Sequence, residues 1–139
     1  MADPRYLVDT SVLARASQHR VGERLEELAL GGKLWTCRVV DLEVAFATRA
    51  TDVNDVIEER LAFPEAPITP AVLDRALRVL GLLADHYLHR GVKPADLVIA
   101  AAAEAAGLTV LHYDADFDRI GRVTGQPTEW VSPAGSLDR

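Results

Sequence analysis

A single cysteine, Cys37, leaves the chain without an internal disulfide and without an all-cysteine metal site. No run approaches the roughly 18 apolar residues that a membrane span needs. The opening MADPRYLVD has neither the charged-then-apolar order nor the length of a signal peptide. These absences lead us to expect a protein of a reducing, cytoplasmic compartment with no membrane partner. Gly- or Ser-rich linkers, like-charge runs and internal repeats are also lacking, so one domain over residues 1–139 is expected. Positive charge is scarce as well: 15 Lys and Arg face 21 Asp and Glu, for a net charge of −6. On its face that balance argues against a phosphate-rich partner.

The chain that remains is 49% hydrophobic and long enough to bury a core without a covalent staple. Apolar runs at 5–8, 34–37, 108–113 and 128–131 read as short strands. Between them lie helical patterns. Residues 21–30 carry Val21, Leu25, Leu28 and Ala29 on one face, and a helix start near Ser11 has Thr10 or Ser11 as its N-cap. Residues 39–50 are apolar enough for a core helix, and 55–62 form a shorter one. Thr69-Pro70 supplies a cap and a first-turn proline for a long helix over 71–89. Pro94 opens another over 95–106, stopped by Gly107. Alternating strands and helices predict an α/β domain with a mainly parallel sheet of four to five strands.

The carboxylates fall at telling places. The first strand runs into Asp9 and the 108–113 strand into Asp114, and in open α/β sheets ligands sit outside the carboxyl ends of the strands. Either aspartate alone also fits an ordinary turn or cap. Glu43 lies in the nearly apolar VVDLEVAF, where an unpaired buried carboxylate costs several kcal/mol unless a cation or hydrogen bonds compensate; reaching solvent, or favouring its helix N-terminus beside Asp41, is the plainer alternative. Asp96 occupies the first turn of the helix opened by Pro94, and Asp116 follows Asp114 by two residues. A parallel sheet can bring these segments to one rim. An oxygen-only ligand set selects Mg²⁺ or Mn²⁺, ions that lower the pKa of bound water and polarise phosphoryl oxygens.

Four segments stand out: LVDTSVLA at 7–14, VVDLEVAFA at 39–47, KPADLVIAAAA at 93–103 and TVLHYDADFD at 109–118. Together they resemble PIN-domain ribonucleases and, within them, VapC toxins of type II toxin–antitoxin systems. The resemblance covers nearly the whole chain. It implies a PIN-like fold with Asp9, Glu43, Asp96 and Asp114 as catalytic, metal-binding acids, Asp116 as a fifth ligand and Thr10 as a hydrogen-bonding support. It further implies metal-dependent hydrolysis of RNA such as tRNA or rRNA, a homodimer, and a cognate VapB-like antitoxin. His112-Tyr113 departs from the family, which often has Thr or Ser just before that aspartate.

Arg15, Arg20, Arg24, Lys33 and Arg38 flank the acid segments and are candidate phosphate contacts; a solvated helix face accounts for them equally. Leu80, Leu82, Leu83, Tyr87 and Leu88 exceed what one core face needs, so some are candidates for a subunit or antitoxin interface, with core packing the alternative. Ser11, Ser17 and Cys37 have no His-plus-acid partners and are expected to be structural. His86 and His89 fit the last turn of the long helix better than a zinc site. Two other functions remain open: a non-catalytic module that docks a basic partner, and an aspartyl-phosphate phosphatase or receiver-like domain. The latter wants a second Asp two residues after the first, where this chain has Ser11. Removing the five site acids from the net −6 leaves −1, so the acidity is concentrated where a divalent cation would restore positive charge.

Overall fold

The structure is a computed structural model that describes residues 3–137. Residues 1–2 and 138–139, which the expected domain includes, lie outside the described residues. Four strands, β1 (Tyr6–Val8), β2 (Leu34–Trp35), β3 (Thr109–His112) and β4 (Thr128–Trp130), form an all-parallel sheet in the order β2-β1-β3-β4. Helices α1 (Thr10–Leu13) and α2 (His19–Leu30) link β1 to β2. Helices α3 (Arg38–Phe46), α4 (Val53–Leu61), α5 (Pro70–Asp85) and α6 (Pro94–Ala106) lead to β3, and α7 (Asp116–Thr124) leads to β4. The chain leaves β1 toward one sheet edge and β3 toward the other. These two strands are neighbours, so the crevice where parallel sheets place ligands opens beyond their carboxyl ends.

Side chains alternate across the strands and build a core on each face. Tyr6, Val8 and Leu111 pack with Val12, Val21 and Leu28, whereas Leu7 and Val110 face the α5 and α6 side. The consecutive alanines Ala100 to Ala103 are all buried, and their small side chains let α6 lie close to the sheet. Thr69 caps α5 through a bond from the Val72 amide to its hydroxyl, with Pro70 in the first turn. Gly107 ends α6 at φ 70°, a left-handed position that glycine takes without strain.

Several boundaries differ from the sequence reading. Asp9, not Thr10 or Ser11, is the N-cap of α1, because its carboxylate reaches the Ser11 amide. Ala29 is exposed, so the buried stripe of α2 is carried by Val21 and Leu28, with Leu25 partly buried. The 34–37 strand is cut at Trp35; Thr36 instead bridges to Glu65. The 39–50 segment is no core helix: α3 ends at Phe46, which is 93% exposed, and Leu42 is 69% exposed. Only one face of α3, carrying Val40 and Asp41, turns inward, while α3 and α4 pack against each other. The long helix stops at Asp85 because Tyr87 adopts φ 58° and the Leu88 amide folds back onto the Leu83 carbonyl. His86 is therefore its C-cap, and His89 lies beyond the helix. Of the candidate interface residues, Leu83 is wholly buried, Leu88 packs on the core and Tyr87 is 90% exposed.

Candidate metal centre

Asp9 follows β1 and is buried, one carboxylate oxygen accepting from the Ser11 amide at 2.9 Å. The next residue, Thr10, donates its hydroxyl to Glu43 Oε1 at 2.8 Å, which ties half-buried Glu43 on α3 to the end of β1. Asp96 enters from α6, one residue after the Pro94-Ala95 start that fixes the first turn, and is only 7% exposed. Asp114 follows β3, and its Oδ1 accepts from the Asp116 amide at 2.9 Å. Buried Asp116 opens α7 and is gripped by the Arg119 guanidinium one turn later. One oxygen each from Asp96, Asp114 and Asp116 lies within 4.8 Å of the others. Asp9 lies within electrostatic reach of both Asp96 and Glu43.

This crowding has a cost that the protein leaves standing. Asp96 Oδ2 is buried and has no hydrogen-bond partner among the described residues. Burial first, then the charges of Asp9, Asp114 and Asp116, push the Asp96 carboxyl up to about 7, with Lys93 opposing weakly. Burial likewise raises Asp9, against the pull of its bond to Ser11. An orphaned buried carboxylate oxygen facing two more carboxylates is a site that a hard cation completes.

Residues outside the predicted set build the surroundings. Ser11 Oγ accepts from the Tyr113 amide at 2.9 Å and so pins the end of β3 to the start of α1. His112 is fully buried; its Nδ1 accepts from the Asp114 amide at 3.1 Å, and burial lowers its pKa. Arg119 also donates to the carbonyls of Arg90 (2.7 Å) and Leu88, joining α7 to the loop that precedes Asp96. Its position three residues after Asp116 on a helix was the available signal for this contact. The Cys37 thiol is buried and pushed up to about 11, which fits packing rather than nucleophilic chemistry.

The candidate phosphate contacts divide. Arg15 lies just past α1, with its guanidinium on the Ser11 carbonyl and over the Tyr113 ring. Arg20 donates to Ser132, and Arg38 is held between Asp41 and Glu65. Lys33, whose carbonyl bonds the amide of Tyr6, lies at the starting end of the strands, opposite the acidic rim, and pairs with Asp3. Arg24 sits there too, on the Tyr6 hydroxyl and near Glu129. Their proximity to the acids in sequence is thus undone by the length of α2, which carries the chain from one end of the sheet to the other.

Comparison with known proteins gives the geometry its context. The PIN domain family matches residues 6–123. The chain belongs to the PIN-domain family. Within it, the chain is 44% identical over 135 residues to ribonuclease VapC51 of Mycobacterium tuberculosis, covering 96% of this chain and 98% of that one. It is 40% identical over 136 residues to ribonuclease VapC18 of the same organism, covering 95% and 98%. This places it in the VapC branch. Among solved structures, DNA-bound VapBC from Salmonella typhimurium superposes with a TM-score of 0.73 at 16% identity, over 94% of this chain and all of that one. VapBC-5 from Mycobacterium tuberculosis superposes with 0.61 at 24% identity, over 91% and 98%. Those likenesses show the PIN fold, with Asp9 and Asp114 at the carboxyl ends of its two central strands.

Proposed function

We propose that this PIN-domain chain is a divalent-metal-dependent endoribonuclease and the toxin of a type II toxin–antitoxin pair, acting in the cytoplasm as one domain across the whole chain. The observation that carries the reading is the meeting of Asp9, Glu43, Asp96, Asp114 and Asp116 at one rim, with Asp96 Oδ2 left bare. Its closest support among relatives is their designation as VapC ribonucleases at 40% identity or better over nearly the full chain. Asp96, Asp114 and Asp116 are the residues that would hold the ion directly, with Asp9 beside them. Their all-oxygen donors favour Mg²⁺ or Mn²⁺ over zinc. When bound, such an ion supplies an acidified water and a polarised phosphoryl oxygen for hydrolysis.

The chain's own residues prepare that chemistry by position. Ser11 and Thr10 fix Asp9 and Glu43 relative to the strand ends, and Arg119 holds one oxygen of the Asp116 carboxylate. Asp96, whose carboxyl is pushed up to about 7 by burial and by the neighbouring acids, is the group whose charged form a bound cation would stabilise most. Glu43, anchored through a single hydroxyl, is left partly open to receive or deliver a proton at the rim.

An antitoxin of the VapB kind is the proposed partner, since the matched structures are VapBC complexes. An apolar groove of about 720 Å³ beside Glu43, lined by Leu42, Phe46, Val53 and Ile57, gives its segment a place to dock. Exposed Leu73, Leu77 and Leu80 on α5 form a second apolar strip, which the proposed homodimer would cover. The deciding test is RNA 5′-end mapping after brief expression of the active chain and of Asp9→Asn, with tRNA and rRNA as the expected targets. New 5′ ends seen only with the active chain, and cleavage in vitro that EDTA abolishes, are expected. Cleavage that persists without metal and in Asp9→Asn would refute the reading.

A further inference from the structure

Beside the acids the same rim carries an aromatic surface that hydrolysis does not use. Tyr113 stands between the end of β3 and Asp114 and is held at three points. Its amide donates to Ser11 Oγ, its phenol oxygen accepts from the Leu137 amide at 3.1 Å, and its ring face carries the Arg15 guanidinium at 4.5 Å. Trp130, the last residue of β4, meets Tyr113 edge-on at 5.4 Å and 86°. The indole nitrogen donates to both Asp118 oxygens, at 3.1 and 3.0 Å, and the ring packs against buried His112 at 4.9 Å. Arg15, Tyr113 and Trp130 are all half-buried, so each keeps surface in solvent.

We propose that Tyr113 and Trp130, with the Arg15 guanidinium, form a stacking platform for an unpaired RNA base next to the phosphodiester that is cut. The inference rests on the ribonuclease reading and names what that site recognises. Single-stranded and loop RNA is commonly gripped by stacking splayed bases on aromatic rings and arginine planes. Charge selects a base over a phosphate here: Asp114 and Asp118 lie alongside, while Arg15 is already spent on the Ser11 carbonyl and the Tyr113 ring. Because both rings are fixed by hydrogen bonds at their polar ends, little rotamer freedom remains to be lost on binding. Stacking is tolerant of base identity, so the platform sets the need for an unpaired base rather than a sequence.

The test is fluorescence anisotropy with the full-length Asp96→Asn chain, comparing a labelled decamer of adenylate with an abasic decamer of the same backbone. The adenylate strand is expected to bind about tenfold or more tightly. Adding Trp130→Leu or Tyr113→Leu should erase that preference while leaving affinity for the abasic strand in place. Tyr113→Phe and Trp130→Phe keep a ring and should retain most of the preference, which separates stacking from a folding defect. Equal affinity for both strands, or equal losses on both, overturns the platform. RNA cleavage by the unsubstituted chain, together with equal affinity for the adenylate and abasic strands, would overturn the platform alone. Base preference with no cleavage under Mg²⁺ or Mn²⁺ would instead overturn the ribonuclease reading and leave the platform standing.

Discussion

Asp41 and Asp96 are the same residue in nearly the same setting, each in the first turn of a helix and 8% and 7% exposed. Their partners could hardly differ more. Asp41 Oδ1 accepts from the Thr36 hydroxyl at 2.7 Å and Arg60 Nε at 2.9 Å, and Oδ2 from Arg38 at 2.7 Å. Arg60 also reaches Thr36, which closes a buried network joining β2's extension, α3 and α4. Asp96 faces Asp9, Asp114 and Asp116, with Lys93 opposing them. A buried carboxylate whose hydrogen bonds are complete holds a fold together; one left incomplete among its own kind marks a place for something the fold does not supply.

The contrast can be broken from either side. The largest effect is expected from Asp96→Asn, which should reduce RNA cleavage to background in a gel assay yet raise the melting temperature of the metal-free protein. The Asp41→Ala change should do the reverse, leaving Arg60 buried without its carboxylate at a cost of about 3–5 kcal/mol, read by chemical denaturation. Its affinity for Mn²⁺, measured by calorimetry, should stay near that of the unsubstituted chain. If Asp41→Ala were harmless and Asp96→Asn destabilising, the two roles would be misassigned.

Stability against pH sharpens the same distinction. The Asp96 carboxyl is raised from 3.8 to about 7 in the folded chain, so the folded state holds this proton more tightly than the unfolded state. Its contribution is therefore favourable below about pH 4, is lost as pH rises toward 7, and is absent above that. The melting temperature of Asp96→Asn minus that of the parent, both in EDTA, should accordingly grow between pH 4 and 8. A flat difference would contradict the assignment.

A smaller effect is expected at His112, whose Nδ1 holds the Asp114 amide. The His112→Phe change keeps a ring among Phe117 and Trp130 but loses the acceptor, and should weaken Mn²⁺ binding about 10–100-fold, as for other groups that orient ligands. The His112→Asn change, which places an acceptor at the same distance along the side chain, should recover part of that loss.

Asp9, Asp96 and Asp114 were legible as candidates because each adjoins a local signal: Val8 and His112 end strands at Asp9 and Tyr113-Asp114, and Pro94 fixes the turn that carries Asp96. The same alternation predicted a mainly parallel sheet of four to five strands, and the four described strands are all parallel. What was hidden depends on distance in sequence. Arg60 meets Asp41 across 19 residues and Tyr113 meets Ser11 across 102, pairings that no local pattern records. Composition also misled at α3, where Leu42 and Phe46 are apolar for a surface they present outward rather than for the core. Tyr87 ended α5 early through a left-handed conformation that its residue type does not advertise.

Whether the acidic rim is a cation site is tested most directly by calorimetric melting of the parent and Asp96→Asn at pH 8, in EDTA and then in excess Mn²⁺. Asp96→Asn is expected to melt higher in EDTA, and Mn²⁺ to raise the parent by several degrees and the variant by much less. A parent that melts above Asp96→Asn in EDTA and does not respond to Mn²⁺ would contradict it.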